Sequence, residues 1–178
     1  MQKIMLTYGP IIGAIIILTV IISMDASSGE GGMSTSPLIG YLIQIIGFSV
    51  IFVAVKKYRD QELGGIITFG SAFKLGLGIS LIASVVYVIV WEMYLNITDY
   101  AFISEYADAL LEEAKAEGKS VEEIAALKTQ TEMAVENYGN PFFRLAITLI
   151  EVFPTGILLS LIAALVFRTK QNDNKQTE

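Results

Sequence analysis

The sequence predicts an all-α integral membrane protein, a four-helix bundle with an extracytoplasmic helical hairpin between spans 3 and 4. Four apolar runs are long enough to cross a bilayer as helices, at about residues 4–23, 38–55, 73–95 and 142–167. Hydrophobic residues make up 53% of the chain and charged residues 17%, whereas soluble domains average about 25% charged. The one long polar segment, 98–140, is strongly acidic. These observations indicate a single membrane domain, 1–170, embedded in a lipid bilayer.

The first apolar run, 4–23, has two interpretations. A cleaved signal peptide fits poorly, because the run is longer than a usual signal core and no A-x-A site follows it. Gly9 and Gly13 lie at the G-x-x-x-G spacing that is typical of packed membrane helices. We therefore expect an uncleaved first span, followed by a Ser- and Gly-rich loop, 24–36.

The second and third runs are joined by a short connection, 60–71. The second run ends at a basic cluster, 56–59, and the third carries Trp91 and Tyr94 near its far end. Aromatic residues at such a depth are typical of the membrane–water interface. The connection itself is compatible with a short interfacial helix or with a re-entrant turn.

The acidic segment, 98–140, contains ten acidic and three basic residues. Its net charge of −7 is more negative than that of the whole chain, −6, so the rest of the protein carries +1. Two helices fit the pattern: the first ends by Gly118, and the second opens with a capping box of Ser120 and Glu123 and ends near Tyr138. A solvated hairpin is one interpretation, and a cation- or partner-binding acidic surface is the other.

Basic residues predict the orientation in the membrane. Lys3, the 56–59 cluster and Arg168 flank the spans on one side, whereas the first loop has no basic residue and the acidic segment has few. By the positive-inside rule both termini are cytoplasmic and the hairpin is extracytoplasmic. We expect a multi-pass protein of the inner membrane, with a disordered cytoplasmic tail, 171–178.

Glu151 and Pro154 are the unusual residues of the fourth run. A carboxylate inside a membrane helix costs a few kcal/mol or more, and proline removes a backbone donor and is expected to break the helix. At 100° per residue, Arg144, Thr148 and Thr155 fall on the same side of the helix as Glu151. This polar stripe is a candidate functional site.

Residues at similar depth on other spans extend this candidate site. Gln44 and Tyr87 are expected at the level of Glu151, and Glu92 and Arg144, nearer the outer surface, are candidates for an ion pair. The structural interpretation of Glu151 is a carboxyl that locks helices together through a hydrogen bond to Gln44 or Tyr87. The functional interpretation is a proton or cation relay, or part of a substrate site.

Small residues recur at four-residue spacing on three spans. Such stripes let helices approach closely and favour a compact bundle over a wide aqueous pore. They comprise Gly9 and Gly13, then Gly76, Ser80 and Ser84, then Gly156, Ser160 and Ala164.

The composition excludes several kinds of chemistry. The chain has no Cys and no His, which rules out thiol nucleophiles, disulfides, Cys/His zinc sites and a histidine base. A net charge of −6 argues against a nucleic-acid partner. We expect no catalytic residues, no metal site and no cofactor.

Two segments carry a resemblance to a known family. They are ITFGSAFKLG, at 67–76, which leads into the third span, and EVFPTGILLSLIAA, at 151–164, within the fourth. With the acidic segment, they resemble the bacterial membrane family of domain of unknown function 4199, found mainly in Bacteroidetes, over almost the whole chain. The resemblance implies four spans and an inner-membrane location, and it implies no activity.

The expected function is that of a non-enzymatic inner-membrane protein, a scaffold or accessory subunit with a membrane-protein partner or a second copy of itself. The alternative is a small proton- or cation-coupled transporter that uses Glu151. An intramembrane enzyme is the third class, and no nucleophile–base pair or metal set supports it.

Overall fold

The computed structural model describes residues 1–27 and 37–169. Within these ranges the chain is helical without a strand, and four segments are long and apolar enough to cross a membrane. The second of these segments consists of two consecutive helices, α2 and α3, which meet at Ser49. The helices are α1 Gln2–Ser27, α2 Pro37–Phe48, α3 Val50–Glu62, α4 Phe69–Ile97, α5 Phe102–Ala116, α6 Val121–Tyr138 and α7 Pro141–Phe167. The predicted all-α, four-span membrane architecture is confirmed.

The helices run past the ends of the apolar runs. Residues 24–27 are helical and not part of a loop, and α3 continues through the basic cluster to Glu62. Lysine and arginine are good helix formers whose charged ends can reach the headgroups, so the helix need not end where hydropathy falls. The rest of the first loop and the predicted tail lie outside the described residues.

The connection between α3 and α4 is shorter than expected. It spans 63–68, where Gly64 and Gly65 have positive φ angles of 65° and 92°. Thr68 then caps α4 by accepting a hydrogen bond from the Ser71 amide at 3.2 Å. The connection therefore contains neither an interfacial helix nor a re-entrant turn.

Helix α4 is the centre of the bundle and packs most extensively against α1 and α7. The predicted small-residue stripes form these contacts. The Ser80 and Ser160 hydroxyls lie 3.0 Å apart, and a Cβ atom on Gly156 would lie 2.7 Å from the Ser80 Cβ. On the other side of α4, Gly13 faces the backbone of Ala83. The helices approach so closely because glycine and serine leave room for the neighbouring helix.

The N-terminus, the 63–68 connection and the end of α7 lie at the same end of the bundle. The Met1 amino group is 3.2 Å from Glu62, and the Ile67 amide donates to the Thr169 hydroxyl at 3.1 Å. Helix α4 runs from this end to the opposite one, where α5 begins and α6 ends.

Helices α5 and α6 pack against one another. Gly118, with a φ of 74°, ends the turn after α5, and Ser120 and Glu123 form the predicted capping box. Asn140 caps α7 by accepting a hydrogen bond from the Phe142 amide at 2.9 Å. The turn between α4 and α5 is tight, since Asp99 and Tyr100 adopt positive φ angles. It brings α5 back over the end of the bundle.

Candidate functional site

A cavity of about 420 Å³ lies where α5 and α6 meet the ends of α1, α4 and α7. Its polar groups include the side chains of Thr148 and Glu151 on α7, and Glu151 is the charged one among the described residues that line it. Much of the remaining wall is aromatic, with contributions from Tyr87, Trp91, Phe102, Tyr106, Tyr138 and Phe143.

Glu151 reaches this cavity from the third turn of α7. It lies about 15 Å along the helix from Pro141, from the helical rise of about 1.5 Å per residue. Among the described residues, no side chain forms a hydrogen bond or an ion pair with its carboxyl group. The expected hydrogen bond to Gln44 or Tyr87 is therefore absent, although Tyr87 lines the same cavity.

Gln44 lies away from this cavity. Its side chain on α2 is only 2% exposed, and its Oε1 atom has no hydrogen-bond partner in the described part of the chain. Depth along the span was not enough to place Gln44 beside Glu151, because residues at the same depth in the membrane can point to different sides of their helices. Gln44 is thus removed from the candidate site.

Pro154 and Thr155 also lie outside the cavity lining. Helix α7 continues through Pro154 to Phe167, so the expected helix break is wrong. Proline deprives the Ile150 carbonyl of its intrahelical donor, and the hydrogen bonds of the flanking turns keep the helix continuous. Pro154 is exposed and Thr155 half-buried, and neither assists Glu151 directly.

Glu92 and Arg144 form the ion pair that the sequence indicated. The Arg144 Nε atom donates to Glu92 Oε2 at 2.8 Å, and Nη2 donates to Oε1. A third donor, Nη1, bonds the Tyr138 carbonyl at 2.7 Å, and the guanidinium lies 4.6 Å from the centre of the Tyr100 ring. Arg144 therefore joins α4, α7 and the end of α6, and its charge is already paired.

Trp91, an aromatic residue expected at the depth of the membrane–water interface, has its side chain buried in the protein. Its Nε1 atom donates to the Tyr138 hydroxyl at 2.9 Å, and its ring packs edge-on against Phe102 with 4.9 Å between centroids. Thr148, which lines the same cavity, donates to the Arg144 carbonyl at 2.8 Å. This network fixes one wall of the cavity next to Glu151.

The aromatic wall was missed by the analysis of the sequence. Phe102 and Tyr106 lie four residues apart on α5 and stack with 5.9 Å between ring centroids, and Tyr138 ends α6. The spacing of Phe102 and Tyr106 indicates a common helix face, which is a usable signal. What the face contacts depends on how α5 turns back over α4.

The two tyrosines contributed by α5 and α6 are neutral at physiological pH. Burial raises the pKa of Tyr106 and is also the main influence raising the pKa of Tyr138. Both hydroxyls therefore remain protonated and add no charge to the cavity. Within the described ranges no cluster of acidic side chains has the arrangement of a metal site.

The family model for a protein of unknown function, DUF4199, matches residues 7–169. No curated protein and no solved structure matches the chain. Because the match covers nearly the whole sequence, the chain belongs to the DUF4199 family, as its resemblance indicated.

Proposed function

We propose that this DUF4199 protein is a non-enzymatic inner-membrane protein in which Glu151 takes up and releases a proton or a cation, as in a small coupled transporter. One observation carries the proposal: Glu151 lines a cavity without a hydrogen bond or an ion pair among the described residues. A carboxyl group placed within a span for structural reasons is expected to be paired or hydrogen-bonded, because an unpaired carboxyl group inside a membrane is costly. An open, unpaired carboxyl instead favours exchange with something that enters the cavity.

Arg144 supports this assignment because it cannot neutralise Glu151. Its guanidinium already donates to both oxygens of Glu92 and to the Tyr138 carbonyl. Such bidentate pairing fixes the geometry of the arginine. The charge of Glu151 is then left to be balanced by a bound proton or cation.

The proposed orientation places both termini in the cytoplasm and α5–α6 outside. Lys3, the 56–59 cluster and Arg168 are near the bundle end that holds Met1 and Thr169. The acidic helices leave the bundle at its other end. This separation of charge agrees with the positive-inside rule. With this orientation the cavity lies in the outer half of the membrane.

Proton flux into proteoliposomes tests the proposal. Wild-type protein and the Glu151→Gln, Glu151→Ala and Glu105→Gln variants are reconstituted, a membrane potential is imposed, and internal pH is followed with a trapped dye. We expect flux from the wild type and from Glu105→Gln, which removes an exposed acid of α5, and none from the Glu151 variants. Because Glu151 makes no stabilising contact, Glu151→Gln should unfold no more easily than the wild type.

The flux is repeated with sodium, potassium and organic cations on the opposite side, so that a cation-coupled process is also detected. Equal flux from Glu151→Gln and the wild type contradicts a relay through the carboxyl group. So does a wild type that shows no ion-dependent flux under any of these conditions.

A scaffold or accessory subunit is the second candidate function. The observation that favours it is the row of exposed acids on α5 and α6, among them Glu105, Asp108, Glu122 and Glu132. A basic partner or a second copy could contact this surface. This function predicts that Glu151→Gln keeps full cellular activity, while Glu122→Lys with Glu132→Lys changes the mass of the complex measured by native mass spectrometry.

A further inference from the structure

We propose that the cavity around Glu151 binds an organic cation, a substituted ammonium group attached to an apolar body. The inference rests on the proposed role of Glu151 and names the class of ligand that its cavity would accept. It follows from the charge of the cavity, the nature of its walls and its size.

The charge of the cavity favours a cation. Glu151 is the charged residue among its described lining residues, and no lysine or arginine lines it. Arg144 lies one helical turn before Thr148 on α7, but its guanidinium donates to Glu92 and to the Tyr138 carbonyl. An anionic ligand would meet an unpaired carboxylate here, whereas an ammonium group would pair with it.

The walls favour an organic cation over a metal ion. Six aromatic rings line the cavity, and the face of a tyrosine or tryptophan ring attracts a cation within about 6 Å of its centre. A metal ion of the calcium or magnesium type instead needs about six oxygen ligands, and the cavity offers one carboxylate and a few hydroxyls. Aromatic walls with one carboxylate are the arrangement that suits alkylated ammonium groups.

The aromatic wall is held in place before any ligand arrives. Trp91 is fixed by its hydrogen bond to Tyr138 and by the ring of Phe102, and Phe102 stacks in turn on Tyr106. A rigid wall loses little conformational freedom on binding, which raises affinity. The volume of about 420 Å³ is within the range of small-molecule sites, about 300–1,000 Å³.

The tryptophan of the cavity provides a direct measurement, because Trp91 is the single tryptophan of the chain. Full-length protein in detergent micelles is titrated with benzyltrimethylammonium while Trp91 fluorescence is recorded. Two matched probes accompany it: neopentylbenzene, which has the same shape and no charge, and phenylacetate, which has the opposite charge. We expect a saturable change with the ammonium probe, and binding of the other two to be weaker by about tenfold or more, a difference of one decade in Kd.

Three variants locate the site. Glu151→Gln and Tyr106→Leu should each weaken binding of the ammonium probe several-fold, and Glu105→Gln, on an exposed face of α5, should leave it unchanged. The emission maximum of Trp91 and far-UV circular dichroism report whether each variant is folded. Equal binding of benzyltrimethylammonium and neopentylbenzene to the wild type overturns the proposal without any variant, and so does unchanged affinity in folded Glu151→Gln.

Binding and flux separate this inference from the proposed function. If proton flux depends on Glu151 and the ammonium probe does not bind, the proton relay is supported and the organic-cation site is contradicted. If the ammonium probe binds in a Glu151-dependent way and no flux is detected, the ligand site is supported and the transport function is contradicted.

Discussion

Replacing Arg144 by methionine should destabilise the protein by about 2–3 kcal/mol. The change leaves the Glu92 carboxylate with one donor among the described residues, the Tyr100 hydroxyl at 3.3 Å, and leaves the Tyr138 carbonyl without the donor that lies at 2.7 Å. Removing one partner of a buried ion pair costs about 3–5 kcal/mol. We reduce that figure because the Glu92 side chain is 29% exposed, while that of Arg144 is 6% exposed.

Unfolding by SDS in mixed micelles, followed by Trp91 fluorescence, measures this cost. The single variants Arg144→Met and Glu92→Gln are compared with the double variant, which should lose less stability than the two single losses combined by about 1–2 kcal/mol, since neither charge is then unpaired. Arg144→Lys should be intermediate, because an ammonium group cannot donate two parallel hydrogen bonds to a carboxylate. Additive losses would refute a coupled ion pair as the connection between α4 and α7.

Three further predictions concern packing, orientation and pH. Gly156→Ala should destabilise the protein by about 1–3 kcal/mol because its methyl group overpacks against Ser80. The control, Gly40→Ala, meets open space and should stabilise the protein by up to about 1 kcal/mol through helix propensity. Equal effects of the two variants in the SDS assay would contradict the close contact. A cysteine at Ser120 should react with an impermeant maleimide only from outside intact cells, and one at Thr169 only in inverted vesicles; the reverse pattern inverts the proposed orientation. The hydrogen bond from the Ser120 amide holds the pKa of Glu123 below its usual range, so the cap stabilises α6 above the ordinary glutamate pKa and is lost as pH falls through the lowered value. Amide exchange in the first turn, corrected for intrinsic rates, should show this loss in the wild type and not in Glu123→Gln.

The spans and caps could be predicted from the sequence because their causes are local. Bilayer thickness sets the length of an apolar helix, and the capping box at Ser120 needs only residues three positions apart. Helix ends at Ser27 and Glu62 were missed, because hydropathy reports the boundary of the lipid and not that of the helix. The missing break at Pro154 has a similar cause: neighbouring turns decide whether a membrane helix survives a proline.

The candidate site could be predicted only in part. Glu92 and Arg144 were identified as a pair because opposite charges at one depth have few other partners in a membrane. Gln44 was assigned by depth alone, and depth does not say which neighbour a side chain faces. The aromatic wall depends on α5 and α6 turning back over α4, a long-range arrangement without a local signal beyond the spacing of Phe102 and Tyr106.

Glu92 and Glu151 show how one bundle can treat two intramembrane acids differently. Glu92 is matched by Arg144, and that pair fastens α4 to α7. The same two helices are also joined by the small-residue contact at Ser80 and Ser160. Glu151 adds no bond to either connection, and an unpaired carboxyl group within an apolar span is costly. A cost of this kind at a preformed cavity is typical of sites where stability is lost for the sake of function. The Glu151 carboxyl group, and not the neighbouring Pro154, is therefore the feature of α7 to test first.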